Sequence, residues 1–145
     1  MSQTLNSNLQ KLLILHEGKK LKPYTDTVGK VTIGVGRNLD DRGISDGECA
    51  LMLSNDIDIV LRAYRNNFPK WKDFNETRQL VILDMLFNMG INRFLGFKKM
   101  IDALNAGDFA KASQEMLDST WSKQVGSRAV RLSNMMRTGT LTDDI

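Results

Sequence analysis

The sequence predicts an α+β fold in which a small β-containing lobe and a larger helical lobe are joined by a long helix. Apolar residues recur at helical spacing near the N-terminus and through most of the second half. Between them, the segment Tyr24–Leu39 is rich in Gly, Val and Thr and poor in helix formers. Because strands and helices occupy separate parts of the chain, we expect them to be segregated rather than alternating. A groove between the lobes is the expected ligand site.

The bulk composition is that of a globular protein. The chain has 145 residues, of which 41% are hydrophobic and 26% charged, and this suits one domain of two lobes. No apolar run approaches the roughly 18 residues that cross a bilayer. The polar stretch Met1–Gln10 predicts no signal peptide. If the target lies outside the cytoplasm, we therefore expect a delivery route other than ordinary export.

The net charge and the cysteine content give only general information about binding partners and disulfides. The net charge is +3, and Ser119–Gly139 holds four cations and no acid. This favours an anionic partner, which nucleic acid, anionic lipid and cell-wall polymers would all satisfy. Cys49 is the one cysteine, so an intramolecular disulfide is excluded, and we predict that it is a buried structural residue.

The first half of the chain is predicted to form one helix and a hairpin. Apolar spacing predicts a helix over residues 4–17, ended by Gly18. Val28–Lys30 is typical of a hairpin turn, and Val31–Gly36 is predicted to be a strand. The glycines in this strand indicate bends or close backbone approach. Glu17 falls in the last helical turn, where the helix dipole disfavours a carboxylate, and such conflicts are typical of functional sites.

The second half is predicted to be helical. A capping box formed by Ser45 and Glu48 predicts a long helix over residues 46–65. We assign about 14–50 to the small lobe, 46–65 to the connecting helix, and about 66–145 plus the N-terminal helix to the helical lobe. Further helices are predicted at about 75–89, 94–106, 108–118 and 127–137, with Asn75 and Asp108 as N-caps. The predicted core is Phe87, Phe94, Phe97, Met100, Ile101, Leu104, Phe109, Met116, Leu117 and Trp121.

Elimination leaves carboxylates as the plausible acid–base groups. One His and one Cys exclude a His/Cys zinc site, and neither a nucleophile elbow nor a phosphate loop is present. A Ser-His-Asp triad would need His16 and has no local support. Glycoside hydrolysis is the large reaction class that runs on two carboxylates alone, and it requires no metal or other cofactor.

The spacing of three residues points to one family. Glu17, Asp26 and Thr32 are separated by eight and five residues, and Ile33-Gly34-Val35-Gly36 follows. This pattern resembles the active-site signature of phage lysozymes of the T-even bacteriophage type. Matching segments downstream are Phe87-Asn88-Met89-Gly90, Gly96-Phe97, Ser119-x-Trp121, Ser127-Arg128-Ala129-x-Arg131 and Arg137-Thr138-Gly139-Thr140. The resemblance runs from about residue 9 to residue 140 and implies a lysozyme-like fold.

The resemblance implies a role for each signature residue. Glu17 is expected to be the general acid that protonates the leaving glycosidic oxygen. Asp26 is expected to stay ionised and to orient a water or stabilise positive charge at the anomeric carbon. Thr32 is expected to hold that water, which implies inversion of configuration. The resemblance also implies that Arg128 pairs with Glu17 across the lobes. The expected substrate-binding residues are Leu39, Phe87, Asn88 and Arg128.

The implied activity is that of an endo-acting muramidase. It would cut the β-1,4 bond between N-acetylmuramic acid and N-acetylglucosamine in peptidoglycan, without a metal or cofactor and without a nucleic-acid partner. The resemblance further implies a monomeric phage endolysin, made in the host cytoplasm and released to the periplasm and cell wall with a holin-type membrane partner. Two alternatives remain: a lytic transglycosylase, which yields an anhydro sugar, and a non-catalytic glycan- or nucleic-acid-binding module.

Some positions depart from the family pattern. Arg37 stands where a histidine paired with an aspartate is usual, and Asp56 falls at the position of that aspartate. We therefore predict an Arg37–Asp56 ion pair. Only four residues separate Leu39 from Ile44, so the small lobe should be short. Asn88 and Val125 replace polar family residues near the sugar.

Overall fold

The computed structural model describes residues 2–143 and confirms the α+β class. Within that range the chain forms eight α-helices and one three-stranded antiparallel sheet. Contacts divide the chain into two compact units, residues 1–52 and residues 53–145, which we call the N-terminal unit and the C-terminal unit. No helix in the described range is long and apolar enough to cross a membrane.

Helix α1 (Gln3–Glu17) confirms the helix predicted over residues 4–17. It begins at Ser2, whose Oγ accepts a hydrogen bond of 3.1 Å from the N–H of Leu5. It ends at Gly18, whose φ of 78° turns the chain and whose N–H donates to the carbonyl of Ile14 at 2.9 Å. By contacts, α1 belongs to the N-terminal unit. Its assignment to the helical lobe stays a prediction.

The sheet follows directly after this cap. Its strands are β1 (Lys20–Thr25), β2 (Val31–Gly34) and β3 (Arg37–Asn38), paired antiparallel in that order. The strand predicted over Val31–Gly36 is shorter because Gly34 and Gly36 both take a positive φ, which turns the chain into β3. Strand β3 was missed, since two residues are too few to show an alternating pattern.

Helix α2 (Asp46–Asn67) confirms the predicted long helix and its capping box. The N–H of Glu48 donates to Ser45 Oγ at 3.1 Å, and the N–H of Ser45 donates back to Glu48 Oε1 at 2.9 Å. The prediction of a buried Cys49 was wrong. This residue follows Glu48 on α2 and is exposed.

Six helices and a short 3₁₀ turn (Trp71–Asp73) build the rest of the C-terminal unit. The helices are α3 (Glu76–Met89), α4 (Ile91–Leu95), α5 (Lys98–Asn105), α6 (Phe109–Leu117), α7 (Thr120–Val125) and α8 (Ser127–Thr138). Asn75 and Asp108 cap α3 and α6 as predicted. The helix predicted over 94–106 is two helices, because the turn at Gly96 separates α4 from α5. Helix α7, capped by Ser119, was missed.

The hydrophobic core lies in the C-terminal unit and contains most of the predicted residues. Phe94, Met100, Leu104, Met116 and Trp121 are all at most 1% exposed, while Phe97, Ile101 and Phe109 pack partly buried against them. Two predicted core residues are not buried: Phe87 is 45% exposed and Leu117 is 38% exposed. Each lies near the end of its helix, on a side that the core does not cover.

Candidate active site

Glu17 lies at the end of α1, and its carboxyl lies against a turn of the sheet. A Cβ built on Gly36 would lie 3.0 Å from Glu17 Oε2 and 3.2 Å from its Cδ. Gly36 occupies the turn between β2 and β3. The proposed acid is therefore an exposed side chain packed on the backbone of the hairpin region.

Asp26 follows β1 and fixes the hairpin turn. Its Oδ1 accepts hydrogen bonds from the N–H of Val28 at 3.0 Å and from the N–H of Lys30 at 2.8 Å. Its own N–H donates to the carbonyl of Lys30 at 2.9 Å. Through these bonds Asp26 stabilises the turn, as aspartates in turns commonly do by accepting hydrogen bonds from nearby backbone N–H groups. The same bonds also hold its half-buried carboxylate in one direction, which a reacting group needs.

Thr32 lies at the centre of the sheet and is 3% exposed. It pairs with Tyr24 of β1 and with Asn38 of β3. Its hydroxyl donates to the carbonyl of Lys30 at 3.0 Å. Because a hydroxyl has one proton to donate and two lone pairs, Thr32 Oγ1 can still accept a hydrogen bond from a water or a substrate hydroxyl.

Leu39 begins the short loop after β3. Its N–H donates to the carbonyl of Val31 at 2.8 Å, and its carbonyl accepts from the N–H of Gly43 at 3.0 Å. Asp40 ties the same loop to β2, since its Oδ2 accepts from the N–H of Val31 at 2.7 Å. Leu39 is thereby held at the edge of the sheet, half-buried.

Arg37 pairs with Glu48, so the predicted partner Asp56 was wrong. Arg37 Nη1 lies 2.8 Å from Glu48 Oε1 and also donates to the carbonyl of Gly43 at 3.2 Å. The hydrogen bond from Arg37, aided by those from Ser45, lowers the pKa of Glu48 to about 2. The same pairing raises the pKa of Arg37. One carboxylate thus caps α2 and ties β3 to its N-terminus.

The predicted substrate-binding residues Phe87 and Arg128 lie within the C-terminal unit. Both line a largely apolar groove of about 690 Å³, together with Asp84, Leu80 and Leu83. Arg128 Nε and Nη2 both contact Asp84 Oδ1, at 2.8 and 2.7 Å. The pairing of Arg128 with Glu17 stays a prediction.

Asn88, the remaining predicted contact, is oriented by a core aromatic residue. Its Oδ1 accepts a hydrogen bond of 2.8 Å from Nε1 of Trp121. Trp121 is 1% exposed, whereas Asn88 is exposed at the surface. Because the amide oxygen is occupied, the amide NH₂ of Asn88 points away from Trp121 and can donate to a ligand.

The structure divides the predicted site residues between its two units. Glu17, Asp26, Thr32 and Leu39 belong to the N-terminal unit, and Phe87, Asn88 and Arg128 belong to the C-terminal unit.

Asp84 was not predicted from the sequence, although it precedes Phe87 by three residues and so shares its helix face. Gly36 was predicted to allow a close backbone approach, but its contact with Glu17 was not predicted. No cluster of three metal-ligating side chains occurs within residues 2–143.

Comparison with known proteins identifies the class of enzyme and the protein family to which the chain belongs. The family model described as phage lysozyme matches residues 15–137, which is most of the chain and includes every predicted site residue. This match, which agrees with the fold, defines a glycoside hydrolase, a lysozyme whose substrate is peptidoglycan. The chain belongs to the phage lysozyme family.

The chain also resembles individual proteins, at low sequence identity. The chain is 28% identical to probable T4-type lysozyme 1 of Dictyostelium discoideum, over 93% of this chain and 96% of the relative. It is 27% identical to the pre-baseplate central spike protein Gp5 of Enterobacteria phage T4, over 94% of this chain and 28% of that protein. It is 28% identical to the SAR-endolysin of Bacteriophage PS119, over 69% of this chain and 60% of that one.

Proposed function

We propose that this lysozyme is an endo-acting muramidase that hydrolyses, with inversion, the β-1,4 bond between N-acetylmuramic acid and N-acetylglucosamine. One observation carries the proposal. The Glu17 carboxyl is packed on Gly36, in the same compact unit as the hairpin that carries Asp26 and Thr32. An acid and a second carboxylate near a hydroxyl are the groups that this reaction needs.

In the proposed reaction, Glu17 gives its proton to the glycosidic oxygen as the bond to the anomeric carbon breaks. Asp26 orients a water on the opposite face of the sugar or stabilises the positive charge there. Thr32 accepts a hydrogen bond from that water, using a lone pair that its bond to Lys30 leaves open. A water held between the acid and the second carboxylate attacks from the face opposite the leaving group, which inverts the configuration.

The C-terminal unit supplies the proposed sugar contacts. The exposed ring of Phe87 offers an apolar surface to a sugar face. The NH₂ of Asn88, oriented by Trp121, donates to a sugar or N-acetyl oxygen. Arg128 directs two N–H groups at Asp84, and its guanidinium has others that suit a substrate carboxylate.

The proposed biological role is that of an endolysin. It acts as a monomer, is made in the host cytoplasm and is released to the cell wall with the help of a holin-type membrane partner. The net charge of +3 favours association with an anionic wall. The similarity to a protein named SAR-endolysin supports this role. A virion-associated role is the alternative, favoured by the match to a phage spike protein.

Analysis of the products tests the reaction. Purified cell walls are digested and the fragments are examined by mass spectrometry. We expect fragments one water heavier than anhydro products, with reducing ends on N-acetylmuramic acid. Anhydro ends would assign the chain to the lytic transglycosylases, and reducing ends on N-acetylglucosamine would overturn the proposed bond. The first anomer released from a glycan oligomer, read by proton NMR, should be α, whereas a β anomer would contradict inversion.

A further inference from the structure

We infer that Gly36 is a positioning residue for Glu17: the absence of a side chain at this turn provides the space in which the proposed acid lies. The inference rests on the proposed role of Glu17. Its structural part, which is the contact between Gly36 and Glu17, can be tested without any activity.

The contact is close and involves the functional end of the side chain. A Cβ at Gly36 would lie 3.0 Å from Oε2, 3.2 Å from Cδ and 3.3 Å from Cγ of Glu17. These separations are shorter than ordinary contacts between carbon and its neighbours, which lie near 3.5–4.0 Å. A side chain at position 36 would therefore displace the carboxyl of Glu17 by a few tenths of an ångström or turn it into another rotamer.

A general acid tolerates little displacement. Its proton must lie within hydrogen-bond reach of the leaving oxygen, and a misplacement of about 1 Å costs on the order of 100-fold in rate. Glu17 is exposed and is the last residue of α1. The backbone of Gly36 is a surface that limits where its carboxyl can lie.

Gly34 is a matched control on the same chain segment. Its φ is +69°, against +67° for Gly36, so a substitution at either position meets the strain of a positive φ. A Cβ at Gly34 would meet nothing within 4 Å. The two glycines therefore separate the cost of a left-handed backbone from the cost of displacing Glu17.

The experiment compares Gly36→Ala with Gly34→Ala by crystallography and by kinetics on glycan-strand oligomers. We expect the Glu17 carboxyl to move in Gly36→Ala and to stay in place in Gly34→Ala. We expect kcat to fall about tenfold or more in Gly36→Ala with KM nearly unchanged, while both parameters in Gly34→Ala stay within about twofold of the parent enzyme.

The other possible results contradict either the positioning role of Gly36 or the proposed role of Glu17. An unmoved Glu17 in Gly36→Ala, or equal losses of kcat in the two variants, overturns the positioning role. A displaced Glu17 with unchanged kcat contradicts the proposed role of Glu17 as the acid instead. If backbone strain prevents both alanine variants from folding, Gly36→Asn and Gly34→Asn repeat the comparison, since asparagine tolerates positive φ better.

Discussion

Asp26 combines a structural and a proposed chemical role in one side chain. Its Oδ1 holds the hairpin turn through the N–H groups of Val28 and Lys30. A purely structural aspartate would make the same bonds, as Asp40 does with the N–H of Val31. Substitutions that retain the acceptor oxygen but remove the charge can separate the two roles.

We predict that Asp26→Asn folds with nearly the parent Tm and loses most of its lytic activity, because an amide oxygen can accept the turn bonds but carries no charge. Asp26→Ala should lose activity and also about 1–2 kcal/mol of stability, as both turn bonds disappear. Turbidity loss of cell walls and thermal unfolding measure the two effects. Asp40→Asn is the matched control and should keep its activity. Asp26→Asn lysing as fast as Asp40→Asn would leave Asp26 with a structural role alone.

At the residue scale, the spacing of residues along the chain predicted candidate site residues, but it did not predict their side-chain partners. Glu17, Asp26 and Thr32 are predicted as site residues because their separations along the chain resemble the active-site signature of phage lysozymes. The partners Asp84 of Arg128 and Trp121 of Asn88 were not found, since they are 44 and 33 residues away in sequence. Such pairs depend on how helices pack, which local patterns do not encode.

Individual helices and strands are stabilised by capping hydrogen bonds and by ion pairs to neighbouring elements. Glu48 accepts hydrogen bonds from Ser45 at the start of α2 and from Arg37 in β3. The pKa of Glu48 is lowered to about 2, from an ordinary value of 4.5, so the folded state favours its charged form. A carboxyl with a lowered pKa contributes stability that is present above about pH 4.5 and is lost as the pH falls towards 2.

We therefore predict that Tm falls more steeply between about pH 4.5 and pH 2 in the parent protein than in Glu48→Gln. The glutamine still accepts from the N–H of Ser45, so the capping box remains while the titrating charge is removed. Thermal unfolding followed by circular dichroism at a series of pH values gives both curves. Parallel curves for the two proteins would show that the Arg37–Glu48 pair contributes nothing to acid stability.

The helices that were predicted well from the sequence begin at recognisable capping residues. Helices α2, α3 and α6 begin at Ser45, Asn75 and Asp108, which were predicted as caps from the sequence. The missed elements are short: α7 has six residues and β3 has two. Fewer than two turns of helix give too little periodicity to recognise, and a turn such as that at Gly96 is not distinguishable from a tolerated helical glycine.

At the scale of the molecule, burial is distributed unevenly between the two units. Within residues 2–143 the hydrophobic core lies between Tyr64 and Met136, whereas Thr32 is the one buried side chain within residues 2–52. The N-terminal unit carries the proposed acid, and the C-terminal unit carries most of the apolar burial.

The carboxyl of Glu17 is the proposed acid of this lysozyme. The most direct measurement is the initial rate of cell-wall lysis by Glu17→Gln, compared with Glu76→Gln, which removes another exposed helical carboxylate. We predict that Glu17→Gln keeps the parent circular dichroism and Tm but lyses walls at no more than a few per cent of the parent rate, while Glu76→Gln stays fully active. Substantial lysis by a folded Glu17→Gln protein would show that Glu17 is not the acid.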